Sequence, residues 1–251
     1  MVVAAPRWRV GTSGWAYRHW RGRFYPPDLP TRDWLGYYAT RFPAVEVNAS
    51  FYRLPRPETA AAWAASTPPG FAFAAKGSRW ITHRLRLQGV GDAVARFWAA
   101  LEPLGDKWQR VLWQLPPSLP ADPARLDAFL AQLPAWPPSA FEFRHPSWEE
   151  SPAVAEVLAR HDAVFCRAVT PAHPDPPPEP PGPAPYLRFH GVGGWYRGRY
   201  GLPRLQAWAR WLRRGNPADG SAWVFFNNDA DAAAVADASD LLAALNAAAA
   251  P

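Results

Sequence analysis

Cysteine, lysine, isoleucine and methionine are all scarce in this sequence of 251 residues. The single cysteine, Cys166, excludes an internal disulfide and a cysteine-based metal site. No stretch reaches the roughly 18 consecutive apolar residues of a transmembrane helix, and residues 1–10 lack the basic and then apolar pattern of a secretory signal. We therefore expect a soluble cytoplasmic protein with no membrane partner.

Lysine is nearly absent from the basic residues. Lys76 and Lys107 are the two lysines, so 25 of the 27 basic residues are arginine, and the formal net charge is +6. Abundant Arg, Ala, Pro and Trp are typical of a GC-rich coding sequence, whereas a basic excess is also typical of proteins that bind polyanions. Composition leaves both interpretations open. The lysine retained at position 76 indicates a role that needs a compact ammonium group or a tunable amine.

Short runs rich in Val, Phe and Trp alternate with longer helical runs. Eight strands are predicted, at Arg9–Ser13, Ala44–Ser50, Phe71–Lys76, Arg110–Leu115, Ala140–Arg144, Ala163–Ala168, Tyr186–His190 and Ala222–Asn227. Seven helices are predicted, at Arg32–Phe42, Pro57–Ser66, Asp92–Leu104, Pro123–Leu133, Pro152–His161, Leu205–Arg214 and Asp231–Ala249. This alternation predicts an α/β fold, a single (β/α)8 TIM-like barrel over residues 1–251. An open doubly wound sheet is the alternative, but its Gly-rich dinucleotide turn is poorly matched by GTSGWAY.

The sixth β-α unit of the predicted barrel is irregular. Residues Pro171 to Pro185 contain nine prolines in 15 positions, and a segment so rich in proline cannot form a helix. We predict an extended, stiff connector that replaces the sixth helix. A linker between domains is the alternative, but the 66 residues after it hold too few elements for a separate core.

Polar side chains cluster at the carboxyl ends of the predicted strands, where chemistry sits in TIM barrels. A strand period of two places Glu142 and Arg144 on one face of the fifth strand, and Arg188 and His190 on one face of the seventh. One wet face of an antiparallel sheet would give a similar alternation. The residues predicted to point into the barrel or to end its strands are Glu46, Asn48, Ser50, Lys76, Gln114, Glu142, Arg144, Arg188, His190, Asn227, Asn228 and Asp229.

The charges predicted inside the barrel do not balance. Three cations (Lys76, Arg144 and Arg188) face two carboxylates (Glu46 and Glu142), and buried charges need partners. The phosphate or carboxylate of a small anionic molecule at the barrel mouth would complete the balance. A purely structural network of ion pairs is the alternative.

Two loops, Gly14–Pro26 and Gly191–Gly201, interleave arginine with tryptophan and tyrosine. This composition suits phosphates, bases or sugars, and Trp15 and Trp195 are candidate stacking platforms. Alternatively, the aromatic residues only cap the barrel. The six histidines lack the spacing of a metal site, so we predict no cofactor and leave a divalent metal open.

Eight ordered blocks carry a more specific resemblance. They cover almost the whole chain and resemble domain of unknown function 72, the YecE-like family: GTSGWAY (11–17), FYP (24–26), VEVNASFYRLP (45–55), FAFAAKGSRWITH (71–83), LWQLPPS (112–118), FEFRHPSW (141–148), YLRFHG (186–191) and FFNND (225–229). The resemblance implies a TIM-barrel-like fold and no established activity. Its motif positions also add Tyr52, His83, His145 and Trp148 to the candidates, while the segment 171–185 departs from the family pattern without touching a motif residue.

We expect an enzyme of hydrolase or lyase type that acts on a phosphate-bearing or otherwise anionic substrate. Glu46 or Glu142 would be the general base, His190 its acid–base partner and Lys76 a cation that holds the anion. The residues expected to bind substrate are Asn48, Tyr52, His83, Gln114, Arg144, His145, Arg188, Trp195, Asn227, Asn228 and Asp229. The alternatives are a non-catalytic nucleic-acid-binding module, a glycosidase-like hydrolase with Glu46 and Glu142 as its carboxylate pair, and a Schiff-base lyase at Lys76.

Overall fold

The structure, a computed structural model, describes residues 8–180, 182, 185–215 and 222–247. It confirms the predicted α/β fold of the TIM-like class, with parallel strands and intervening helices. The strands run in the order β1-β8-β7-β6-β5-β4-β3-β2. Strands β1 to β8 are Trp8–Thr12, Ala44–Val47, Ala72–Lys76, Trp108–Gln114, Ser139–Glu142, Val164–Val169, Tyr186–Phe189 and Ala222–Phe226.

Eight α-helices lie in the described part of the chain. Helices α1 to α8 are Trp34–Ala39, Ala49–Tyr52, Pro57–Ala65, Gly91–Leu101, Pro123–Leu130, Pro152–Arg160, Leu202–Gly215 and Ala233–Ala247. Proline opens α5 and α6, as the start signals predict, and Asp122 caps α5 by accepting a hydrogen bond from the backbone N–H of Arg125 at 3.0 Å. None of the described helices has the length and apolar composition needed to cross a lipid bilayer.

Several predicted boundaries are wrong: α1 and α5 end three residues early and α7 begins three residues early. Three other boundaries are wrong for local reasons. Strand β2 ends at Val47 instead of Ser50, because the chain turns into α2 and the Ser50 hydroxyl donates back to the Val47 carbonyl at 3.0 Å. Helix α4 ends at Leu101, three residues early, and a 3-10 turn with a positive φ at Gly105 follows. Helix α8 begins at Ala233, since Asp231 before it also has a positive φ. The predicted end of α8 at 248–249 lies outside the described residues.

Contacts divide the chain into two compact units. The first unit comprises Met1–Glu46, Ser66–Ala72 and Arg167–Pro251. The second unit comprises Val47–Ala65 and Phe73–Cys166.

In the first unit, the register of β1, β8 and β7 separates a helix-facing side from an opposite side. Phe189 of β7 packs against Trp208 of α7 and Phe226 of β8, with ring centroids 5.1 and 4.6 Å apart. Arg188, the neighbour of Phe189, is in register with Phe225 of β8. Because paired residues share a face and consecutive residues alternate, Arg188 lies on the face opposite α7, as predicted.

In the second unit, strands β3, β4 and β5 show the same division. Trp113 and Phe141 are in register and both pack on Phe129 of α5, with centroids 5.0 and 6.2 Å away. The opposite face carries the polar ends of the strands. Lys76 is in register with Leu112, two residues before Gln114, and Gln114 is in register with Glu142. Lys76, Gln114 and Glu142 therefore share one face of the sheet.

The connector between β6 and β7 lies along α7. The described residues of 171–185 contain no helix, as predicted. The indole N–H groups of Trp208 and Trp211 donate to the carbonyls of Pro174 and Glu179 at 2.9 and 2.6 Å. Two buried tryptophans of one helix thus hold an extended segment that has few backbone donors of its own.

Candidate functional site

Four residues of the first unit form a buried network, which we name the Glu46 cluster: Ser13, Glu46, Tyr186 and Arg188. The Arg188 guanidinium donates to both carboxylate oxygens of Glu46, with Nη2 at 2.8 Å from Oε1 and Nε at 3.1 Å from each oxygen. The hydroxyls of Ser13 and Tyr186 donate to Oε1 and Oε2, both at 2.7 Å. The side chains of Glu46 and Arg188 are 0% and 1% exposed. The cluster is therefore a buried ion pair whose carboxylate also accepts hydrogen bonds from two hydroxyl groups.

This geometry bears on what Glu46 can do. All of these contacts use Glu46 as an acceptor, which suits a carboxylate and not a carboxylic acid. A glycosidase pairs one protonated with one ionised carboxyl group, so Glu46 beside Arg188 fits only the ionised member of such a pair, and the glycosidase-like alternative stays a prediction. A general-base role for Glu46 stays a prediction, and the network also fits the structural alternative, in which the ion pair holds the fold.

His190 follows strand β7 in the first unit and is fully buried. Its Nδ1 lies 3.4 Å from Nδ2 of Asn227, and its ring centroid lies 5.4 Å from that of Trp195. Trp195 and its neighbour Tyr196 are 48% and 47% exposed. The structure therefore brings the predicted site residues His190, Asn227 and Trp195 together, and Trp195 also forms an exposed aromatic pair with Tyr196.

The segment after strand β8 is held by neighbours within the first unit. Asn228 is fully buried, and its Nδ2 donates to the Gly198 carbonyl at 2.8 Å and to Asp237 at 2.7 Å. Asp229 lies at the surface side, where Nε2 of His19 is 2.8 Å from its backbone carbonyl and 3.6 Å from its carboxylate. Burial raises the pKa of the Asp229 carboxyl. Asn228 thus supports the loop, and Asp229 is the more accessible of the two.

Asp237 of α8 is the residue of this region that the sequence analysis missed. Its buried carboxylate accepts from Nε of Arg199 at 2.7 Å, from the backbone N–H of Tyr200 at 3.1 Å and from Asn228. It lies four residues before Leu241 on the buried face of the helix. A carboxylate among the apolar residues of one helix face was the sequence feature that could have identified it. Asp237 ties the 191–201 loop to α8.

The loop Gly14–Pro26 is largely structural. Trp20 and Tyr25 are buried, and Tyr25 stacks on Trp34 with centroids 4.5 Å apart. Arg23 pairs with Asp231 at 2.7 Å. The alternative in which aromatic residues cap the fold describes this loop.

In the second unit, four residues at the carboxyl ends of β2 and β3 form what we name the Lys76 cluster: Phe51, Lys76, Arg79 and His83. Nζ of Lys76 lies 4.0 Å from the ring centroid of Phe51, and the His83 ring meets the same ring edge-on at 5.2 Å. The Ser50 hydroxyl donates to the Lys76 carbonyl at 2.7 Å and ties α2 to the end of β3. Phe51 thus carries an ammonium group and an imidazole together.

The electrostatics of the Lys76 cluster are positive. Burial, Lys76 and Arg79 each lower the pKa of His83, in that order of size. Oγ1 of Thr82 lies 2.9 Å from Nδ1 of His83 and fixes the ring. Both charges that act on His83 are cations, so an anion placed here would gain from each of them.

A second polar group of this unit lies at the ends of β4 and β5. Nε2 of Gln114 donates to Oε1 of Glu142 at 2.9 Å, and Nη2 of Arg144 pairs with the same buried carboxylate. His145 contacts Ser147 through Nδ1 at 2.8 Å and so closes a turn. Trp148 stacks on Phe143 and is buried, which is a packing role. Gln114, Glu142 and Arg144 are thus brought together, while His145 is engaged locally.

Asn48 precedes helix α2 and Tyr52 is the last residue of that helix, so neither lies on strand β2. The Asn48 carbonyl accepts from the backbone N–H of Phe51 at 3.1 Å. The prediction that the strand continues through Asn48 and Ser50 is wrong, because β2 ends at Val47, while their place in the site stays a prediction. Tyr52 is 73% exposed, at the rim of the Lys76 cluster.

Within the ranges that the structure describes, no group of three or more His, Cys, Asp or Glu side chains could hold a metal ion. Neither cluster therefore offers a candidate metal centre.

Comparisons with known proteins agree with the fold. The family model "Protein of unknown function DUF72" matches residues 9–251. The UPF0759 protein YunF of Bacillus subtilis is 26% identical over 94% of this chain and 94% of its own length. The UPF0759 protein YecE of Escherichia coli is 33% identical over 44% of this chain, and the match spans only 41% of the length of that relative.

Two solved structures are similar over nearly their whole length. A DUF72 family protein of Thermotoga maritima has a TM-score of 0.79 and 26% identity, covering 96% of this chain and 100% of the other. A DUF72 family protein of Enterococcus faecalis has a TM-score of 0.74 at 19% identity, covering 95% of each chain, and shares the fold.

Proposed function

The chain belongs to the DUF72 family, and we propose that it is an enzyme that binds the phosphate group of its substrate at the Lys76 cluster. The observation that carries the proposal is that Lys76 and His83 contact the same ring of Phe51, at 4.0 and 5.2 Å from its centroid. Burial and the charges of Lys76 and Arg79 lower the pKa of His83. An imidazole in this position stays neutral at neutral pH, and the positive field around it suits a bound anion.

Each residue of the Lys76 cluster has a distinct part in the proposal. The Lys76 ammonium is a compact point charge, which suits a phosphate oxygen. The Arg79 guanidinium would add planar donors. Neutral His83, with Nδ1 held by Thr82, would accept or return a proton through Nε2.

Glu142 is the candidate general base of the second unit. It is buried, it accepts from Gln114 and Arg144, and it shares a face of the sheet with Lys76. A carboxylate so placed would activate water for hydrolysis, or remove a proton in a lyase reaction. Gln114 and Arg144 are the residues that position it.

The first test measures the pKa of His83 by NMR with and without inorganic phosphate. We expect bound phosphate to raise this pKa, because a nearby anion favours the imidazolium form. Lys76→Met should raise the pKa without ligand and should weaken the phosphate effect. Lys107→Met is the matched control, because Lys107 lies just before β4, at the opposite end of the strands from Lys76, and its Nζ donates to the Ala64 carbonyl at 2.7 Å. An unchanged pKa in phosphate, or equal effects of both variants, would contradict phosphate binding at this cluster.

The second test asks for turnover. The wild type and Glu142→Gln are assayed on sugar phosphates, nucleotides and chromogenic phosphate esters. Loss of a general base lowers kcat about 10²–10⁴-fold, and we expect Glu142→Gln to fall in that range with little change in phosphate binding. Equal turnover by the two proteins would remove Glu142 from the proposal.

A further inference from the structure

Two large aromatic side chains stand exposed beside the Lys76 cluster. Tyr52 is 73% exposed and follows Phe51 directly, and Trp80 is 52% exposed and lies four residues after Lys76. Most other tryptophans and tyrosines of the described chain are at least half-buried. Tyr52 and Trp80 follow the neighbouring strands β2 and β3, and exposed aromatic residues at one end of a sheet indicate a surface that a partner covers.

Trp80 also lines a groove. The groove has a volume of about 150 Å³ and is bounded by Leu54, Ser78, Trp80, Ala93 and Arg96. Its lining therefore includes both an indole and an arginine side chain. A flat, electron-rich ring can stack on the first and meet the second.

The same surface is rich in arginines without ion pairs. Residues 48–65 and 73–96 contain seven basic residues and two acidic ones. Six of the seven are exposed arginines, and none of the six forms an ion pair with any described residue: Arg53, Arg56, Arg79, Arg84, Arg86 and Arg96. By contrast, Arg160 of this unit pairs with Asp127 at 2.9 Å. The basic excess is thus unneutralised here, which suits a polyanion.

The loop that carries Trp80 is held in an unusual conformation. Trp80–Arg84 forms a π-helical turn. Arg86 and Leu87 follow with φ of 50° and 67°, a region that side chains other than glycine rarely adopt. Turns of this kind recur at functional sites. The conformation of the loop therefore holds Trp80 and the neighbouring arginines in a defined place.

We infer that this surface binds single-stranded nucleic acid, with bases stacked on Tyr52 and Trp80 and phosphates held by the surrounding arginines. Stacking on side chains needs unpaired bases, which a duplex does not expose. The inference rests on the proposed function, because it makes Lys76 and His83 the phosphate end of the same surface and makes the substrate a nucleotide or an oligonucleotide. RNA and DNA share this chemistry, and the experiment separates them.

The experiment measures binding of labelled oligothymidylate and oligouridylate of about 12 nucleotides, within the usual length of such sites, by fluorescence anisotropy at several salt concentrations. Tyr52→Ala and Trp80→Ala should each weaken binding about 5- to 150-fold, the range for the loss of one stacked base. Trp136→Ala is the matched control: Trp136 is 58% exposed and lies before β5, at the opposite end of the strands. Its loss should leave binding unchanged.

Salt dependence tests the arginines. Arg96→Ala should reduce the slope of log affinity against log salt by about 0.7, the value for one phosphate contact with a single strand. Arg210→Ala removes the same charge from the exposed surface of α7 in the first unit and should leave the slope unchanged. The oligonucleotide that binds more tightly identifies RNA or DNA as the ligand.

Three results would overturn the inference: tighter binding of a duplex than of a single strand, equal losses for Trp80→Ala and Trp136→Ala, or equal slopes for the two arginine variants. Its failure is distinguishable from failure of the proposed function. If phosphate raises the pKa of His83 but Tyr52→Ala and Trp80→Ala bind oligonucleotides like the wild type, only the inference is wrong. If stacking is confirmed and phosphate leaves His83 unchanged, the phosphate site is wrong.

Discussion

The buried pair of Glu46 and Arg188 gives the sharpest test of how the first unit is held together. In Glu46→Gln the Arg188 guanidinium, 1% exposed, keeps its charge and loses its carboxylate. Removing one partner of a buried ion pair costs about 3–5 kcal/mol, because the remaining charge stays out of water. For a chain of this size each kcal/mol lowers Tm by about 2–4 °C, so the expected fall is about 6–20 °C.

Thermal melting followed by circular dichroism measures this effect. The control is Asp231→Asn, which removes the charge from an ion pair with Arg23 whose side chains are 86% and 51% exposed. Exposed pairs are screened by water, so we expect no measurable change in Tm. The double variant Glu46→Gln/Arg188→Met also removes the buried guanidinium charge and should recover part of the loss in Tm. If Glu46→Gln melts like Asp231→Asn, or if the double variant is no more stable than the single one, the buried pair does not hold the fold in this way.

Three further predictions concern the stability of the protein or of one of its loops. Gly191→Ala should destabilise the protein by more than ~1 kcal/mol, because φ is +112° and a Cβ would lie 2.3 Å from the Arg197 carbonyl oxygen, whereas Gly201→Ala, with open space at φ +77°, should be milder; equal losses would contradict the steric argument. Asp237→Asn should lower Tm and speed proteolysis of the 191–201 loop, since it weakens the charge-assisted hydrogen bonds from Arg199 and Tyr200; an unchanged cleavage rate would count against it. The pKa of His83 is lowered in the folded state, so the unfolded chain binds the proton of this histidine more readily. The contribution of His83 to the free energy of unfolding is therefore at its full value above the unfolded pKa of about 6.5 and falls as the pH drops below it. In urea unfolding, the free energy of unfolding of His83→Gln should fall less on acidification than that of the wild type.

The strands of the fold could be predicted from sequence because each is a short apolar run bounded by Gly or Pro. Seven of the eight strands were predicted with both ends within two residues of those observed, and the connector was predicted without a helix. The strand with the largest error is β2, where polar residues continue a strand-like alternation beyond its end. Glu46, Asn48 and Ser50 alternate like a strand, yet a side-chain hydrogen bond from Ser50 turns the chain into α2. Local hydrogen bonds of this kind leave no periodic signal.

The sequence also predicted which face of the sheet each strand side chain lies on, but it did not predict which residues those side chains contact. A period of two correctly placed Arg188 away from α7 and put Glu142 on the face that it shares with Lys76. The same period also puts Tyr186 with Arg188, but a tyrosine among apolar residues reads as packing, so its bond to Glu46 was missed. The Lys76 cluster depends on Phe51 of the short helix α2 and on Arg79 in the loop after β3, and neither residue lies on a strand. Contacts that depend on loop conformation cannot be derived from periodicity.

The way in which α7 holds the proline-rich connector has a consequence for protein engineering. The acceptors used by Trp208 and Trp211 are the backbone carbonyls of Pro174 and Glu179. A carbonyl acceptor is present whatever side chain the residue carries, so the anchoring constrains the path of the connector and not its composition. The segment between the two anchors is therefore a suitable place to graft an epitope or a spectroscopic probe, with the two indole groups serving as fixed clamps on either side of the insertion.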